Sequence, residues 1–155
     1  MQTGTSSVQE ATCAQNMNQS LIYRLQEEKL QPSQLPSCLV IDDNKFVLQF
    51  VAKMMSRLGY QVDTAETKAD VASKLSSGPY DLIVTDLEMP DMSGYKLTVM
   101  IKKKQLASKV IIMTGSYKGD CAEMMASKWA DGWLFKPFGL NDLRAKIEES
   151  MHICK

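Results

Sequence analysis

LIVTDLEMPDMSGYKL, residues 82 to 97, changes character after its fifth residue. Leu82, Ile83, Val84 and Thr85 form an apolar run suited to a buried strand, and Asp86 ends it. An acid, a proline, a second acid and a glycine follow, and the pattern then turns helical. Desolvating a lone aspartate is costly, so a carboxylate at the tip of a buried strand needs a structural partner or a chemical role.

Strand and helix patterns alternate outward from this stretch. CLVI, 38 to 41, reads as a buried strand ending in Asp42 and Asp43, and Val47, Phe50, Val51, Met54 and Leu58 mark a helix that Gly59 closes. YQVDTA is a second strand, followed by a helix with Val71, Ala72 and Leu75 on its apolar side. The quoted stretch supplies the third strand and a helix lined by Leu97, Met100 and Ile101. KVIIMT, 109 to 114, is a fourth strand, with a helical stripe at Cys121, Met125 and Trp129. GWLF is a short fifth strand, and Leu140, Leu143, Ile147 and Met151 line the last helix. Such alternation predicts an α/β fold: a doubly wound, five-stranded parallel sheet with helices on both faces. Ligands of such sheets gather at the carboxyl ends of the strands.

The 155 residues suffice for one ordinary domain. Eighteen basic residues balance eighteen acidic ones, so no general attraction to nucleic acid or anionic membrane is expected. The longest basic run, Lys102 to Lys104, falls late in a helix, where it complements the helix dipole and stays solvated. Four scattered cysteines and one histidine assemble no zinc site. With no signal core and no spanning apolar run, the expected location is the cytoplasm. Residues 1–36 read as a polar extension, partly disordered, with a short helix near 21–30 that either packs on its own domain or serves a partner or dimer contact. Residues 37–155 form the folded domain. With no linker or further domain after Lys155, a single-domain protein is expected.

The ends of the first, third, fourth and fifth strands deliver Asp42 and Asp43, Asp86, Thr114 and Lys136 in turn to one edge of the sheet. Each residue taken singly has a structural explanation: Asp as a turn residue, Thr as a strand residue, Lys as surface. Their joint arrival where sites form points to function. Crowded carboxylates call for a cation, and hard oxygen ligands without His or Cys suit Mg2+. A divalent cation beside an aspartate and a lysine can clamp a phosphoryl group. Asp86 would then be the nucleophile that forms an acyl phosphate, with Lys136 and Thr114 holding phosphoryl oxygens.

IDD at 41–43, VTDLEMPDMSG at 84–94, MTG at 113–115 and FKPF at 135–138 resemble the motifs of response-regulator receiver domains. The likeness extends over roughly residues 37 to 153. It implies a flavodoxin-like sheet of order 2-1-3-4-5 and phosphorylation of Asp86 by a histidine kinase or a histidine phosphotransfer protein. It implies Mg2+ held by Asp43, Asp86 and the backbone carbonyl of Glu88, with Asp42 acting through water. It also implies a cis bond before Pro137, and a switch in which Thr114 moves to the phosphate as the aromatic Trp133 turns inward. The face made by the fourth helix, fifth strand and fifth helix then changes shape for a downstream target protein. Glu88 and Ser116 match positions that tune hydrolysis of the acyl phosphate. Beyond that self-catalysed transfer and loss of phosphate, no enzyme activity is implied.

Two tryptophans depart from the family pattern. Indole at Trp133, where Tyr or Phe is usual, is expected to crowd the inward position and bias the switch outward. Trp129, where a small residue is common, is expected to expose part of its ring beside Trp133 as a partner-binding patch, or to pack on the amino-terminal segment. The rival reading is a phosphorylation-independent binding module of receiver fold using these rings. Self-association into a homodimer stays open.

Overall fold

The computed structural model describes residues 35–115, 125 and 128–152. Contacts divide the chain between Leu35 and Pro36, and the second unit is the one described. Its main sheet contains β1 (Ser37–Ile41), β2 (Gln61–Ala65), β3 (Tyr80–Asp86), β4 (Ala107–Thr114) and β5 (Gly132–Phe135), all parallel, in the order β2-β1-β3-β4-β5. The helices are α1 (Lys45–Arg57), α2 (Lys68–Ser76), α3 (Gly94–Lys103) and α4 (Leu140–His152). This is the doubly wound, flavodoxin-like sheet expected from the alternation, with α4 in the place of the expected last helix.

Strand alternation decides which face each residue serves. Cys38 and Val40 of β1, Leu82 and Val84 of β3, and Ile111 and Met113 of β4 join Val51 and Met55 of α1 and Leu143 and Ile147 of α4 in one core. Leu39 and Ile41, Ile83 and Val110 point to the other side and meet Val71 and Leu75 of α2 and Leu97 and Ile101 of α3. Helices therefore cover both faces, and β1 from Cys38 and β3 from Leu82 are buried to their ends.

Local signals set the helix starts. The Asn44 side chain caps α1 by accepting from the backbone N–H groups of Phe46 and Val47. Thr67 and Asp70 form a reciprocal capping box at α2.

Three expected helix positions differ. Phe50, expected on the buried stripe of α1, is 54% exposed, and Leu48 and Met55 are buried instead. At 100° per residue the stripe of 47, 51, 54 and 58 extends toward 48 and 55, and position 50 falls past its other edge. Ala72 of α2 is exposed as well. In α4, Met151 is exposed while Ser150 is buried and returns its hydroxyl to the Ile147 carbonyl. Lys102 also departs from its expected solvated role: its ammonium pairs with the buried Asp131 and donates to the Ser108 carbonyl. The short helix at 21–30, most of the stripe around Cys121, and Ser116 lie outside the described residues.

Candidate functional site

Register alone brings the polar residues together. Ile41 of β1 stands beside Thr85 of β3, so the next residues, Asp42 and Asp86, leave adjacent strands side by side. Asp86 pairs with Met113 and Thr114 pairs with Phe135, so Thr114 and Lys136 each lie one step further along the same edge. A backbone bond from Lys136 N to Thr114 O, 2.7 Å, continues the ladder to that point. The Lys136–Pro137 peptide bond is cis, as the resemblance implied.

Lys136 organises the carboxylates. Its ammonium lies 2.6 Å from Asp86 Oδ1 and 3.1 Å from Asp42 Oδ2. The other oxygens are also occupied: Asp42 Oδ1 accepts from Asn44 N at 2.8 Å, and Asp86 Oδ2 from Glu88 N at 2.9 Å. Both acids are nearly inaccessible, at 1% and 6% exposure. Burial raises the Asp86 carboxyl above its ordinary value, Asp42 adds to the rise, and Lys136 opposes it. Burial works against the Lys136 ammonium, but the two carboxylates outweigh it and leave its pKa raised.

The segment after Asp86 is held close by its own backbone. Glu88–Met89 and Met92–Ser93 form a small antiparallel ladder around Pro90 and Asp91. Gly94 N then donates to Leu87 O at 3.0 Å. A Cβ on Gly94 would stand 1.8 Å from the Asp86 carbonyl oxygen, so this position excludes any side chain. Thr98 fixes the same turn by donating to the Gly94 carbonyl at 2.8 Å. Neither Gly94 nor Thr98 was singled out as a site residue. The glycine stood in the quoted motif, but its close approach to Asp86 becomes visible only in three dimensions.

The remaining expected residues fall in different environments. Thr114 is fully buried at the end of β4. Asp43 is exposed and makes no ion pair among the described residues, and Glu88 is exposed. Gly115 is exposed, with open space where a Cβ would be. The two tryptophans do not form an exposed pair. Trp133 is 9% exposed and packs with Leu87 and Ile112, flanked by Tyr95, Ala130 and Phe135. Leu87, Ile112, Tyr95 and Phe135 surround the indole, with the small Ala130 among them. Trp129 is half-buried, with the Lys103 ammonium 5.8 Å from its ring centroid. Asp131, overlooked in the sequence, is a buried carboxylate that accepts from Val110 N at 2.8 Å and ties Lys102 and Lys109 to the opposite edge of the sheet.

Among the described residues no three His, Cys, Asp or Glu side chains group to cage a metal unaided. Mg2+ does not require that: it takes one or two carboxylates and keeps several waters. The adjacent Asp42 and Asp86 carboxylates, with the exposed Asp43 next in the chain, are a donor set of that kind.

A doubly wound sheet with two buried carboxylates and an ammonium at the carboxyl edge of its central strands defines a flavodoxin-like protein with an acidic site built around one lysine. The model of the response regulator receiver domain matches residues 38–148, and the chain belongs to that family. It is 31% identical over 109 residues to the sensor histidine kinase RcsC of Salmonella typhi, covering 70% of this chain and 12% of the kinase. It is 30% identical over 109 residues to the transcriptional regulatory protein PmrA of Pectobacterium parmentieri, covering 70% of this chain and 49% of the regulator. The chain thus spans half or less of these relatives. Among solved structures, the response regulator TrrA of Thermotoga maritima in complex with Mg(2+)-BeF is 31% identical with a TM-score of 0.65, covering 75% of this chain and 99% of that one.

Proposed function

We propose that residues 37–155 act as a magnesium-dependent phosphoacceptor that takes a phosphoryl group from phosphohistidine onto Asp86. The observation that carries this reading is the Lys136 ammonium held between Asp86 and Asp42 at 2.6 and 3.1 Å. A carboxylate oxygen of Asp86 bonds to phosphorus as the phosphorus–nitrogen bond of the donor imidazole breaks. That nitrogen keeps the electron pair, and the product is an acyl phosphate. Lys136 exchanges a carboxylate for a phosphoryl oxygen, and the Thr114 hydroxyl is the second group assigned to that phosphate. Asp43, Asp86 and the Glu88 carbonyl, with Asp42 through water, would hold Mg2+, which would supply charge neutralisation for the phosphoryl group. The Mg(2+)-BeF complex of TrrA supports Mg2+ as the cation.

On this reading the donor is a histidine kinase or a histidine phosphotransfer protein, and the chain is a cytoplasmic signalling protein that turns over no separate substrate. The added charge acts on β5, α4 and the segment between β4 and β5 to present a face to a downstream protein. Glu88 and Ser116 stand at the sequence positions assigned to setting the lifetime of the phosphate. Residues 1–36 are an extension outside the phosphoacceptor unit.

The test is transfer from a phosphorylated histidine phosphotransfer domain, followed by hydroxylamine. An acyl phosphate on Asp86 is cleaved to the hydroxamate, whereas label that resists hydroxylamine contradicts the reading.

A further inference from the structure

The basic run Lys102–Lys104 is divided among three tasks. Lys102 pairs with buried Asp131, and Lys103 lies over Trp129. Lys104 is exposed at the end of α3 and makes no ion pair among the described residues. It lines one end of a groove of about 1080 Å³ between α2 and α3. From Lys104 the wall runs along Leu106, Leu75 and Met100 to Met92 and Met89, just beyond the phosphoacceptor strand.

Charge is unevenly distributed along this groove. At the end near Asp86, Lys68 and Lys96 are matched by Glu88 and Asp91, whereas among the described residues no acidic side chain lines the end at Lys104. Apolar walls with a few placed polar groups are the usual composition of small-molecule sites. Val71, Leu75 and Leu97 give the groove an apolar floor. Three thioether side chains give the walls an adaptable shape suited to a flexible chain.

We propose that this groove binds a small amphiphile with an anionic head, the head at Lys104 and an unbranched apolar tail extending toward Met89 and Met92. The site is separate from the carboxylates and lysine of the phosphoacceptor centre. Its inner wall, Leu87 to Ser93, is the segment that leaves Asp86.

Decanoate is the probe, titrated into the full chain carrying ¹³C-methyl methionine, below its micelle concentration. Saturable shifts are expected at Met89, Met92 and Met100, with Met54, Met55 and Met113 of the opposite core unmoved. Octanoate should bind about tenfold more weakly, from roughly 0.8 kcal/mol per methylene withdrawn from water. Lys104→Glu should weaken decanoate about tenfold, while Lys104→Arg retains binding. Asp86→Asn should bind it unchanged, which separates this site from the phosphorylation reading. Shifts spread across both cores, non-saturable binding, or unaltered affinity in Lys104→Glu would each overturn the proposal.

Discussion

Gly94 and Asp86 touch through backbone alone: a Cβ on the glycine would lie 1.8 Å from the aspartate's carbonyl oxygen. The start of α3 is thereby pressed against the end of β3, and Gly94 N closes the turn on Leu87 O. The glycine is required for space, since its φ is not in the left-handed region.

Gly94→Ala should therefore cost about 3 kcal/mol by overpacking against backbone that has no rotamer to yield. Chemical denaturation should show the lowered midpoint. Phosphorylation should slow as well, because the displaced atoms belong to Asp86 itself.

The Asp86–Lys136 pair sets a pH dependence. The folded Asp86 carboxyl titrates above its ordinary value, chiefly through burial and then through Asp42. Its contribution to stability is therefore complete below about pH 3.9, the value in the unfolded chain, and is lost as pH rises through the raised folded value. Asp86→Asn should be more stable than the parent at neutral pH and match it at about pH 3. Equal stability at both would remove the burial cost assigned to this carboxylate.

Lys136→Met strips the ammonium from both acids and leaves them facing one another. The loss at neutral pH should be about 3 kcal/mol, as for a buried pair robbed of one partner. Acid should reverse much of it, since removing Lys136 takes away the interactions that lower the Asp86 pKa. Combined with Asp86→Asn, the loss should shrink, and a thermodynamic cycle measures that coupling.

Trp133 is a core side chain in this structure, so Trp133→Ala should cost about 3 kcal/mol. Trp129→Ala, which removes a half-buried ring beneath Lys103, should cost about 1 kcal/mol. Equilibrium denaturation of the two variants distinguishes an indole seated against Leu87 and Ile112 from one exposed to solvent.

The fold was readable because five apolar runs ending in polar residues have no other economical arrangement, and strand period two assigns Cys38 and Val40 to one face and Leu39 and Ile41 to the other. The meeting of Asp42, Asp86 and Lys136 was readable from the same strand ends. Less visible were contacts that depend on packing distance. Ring size is written in the sequence, but the neighbours of Trp133, from Leu87 and Tyr95 to Ala130 and Phe135, are not. Asp131 passed unnoticed because its partners, Val110 N, Lys102 and Lys109, come from β4 and the end of α3. Phe50, at 54% exposure, shows the limit of stripe reading. One helical position past the edge of the stripe separates core from solvent.

The central claim is tested most directly by the intact mass of the protein after incubation with acetyl phosphate and magnesium, beside a magnesium-free sample and Asp86→Asn. The account predicts a gain of one phosphoryl group that requires magnesium and is absent in the variant. A gain that persists in Asp86→Asn would place the phosphate on another residue and contradict it.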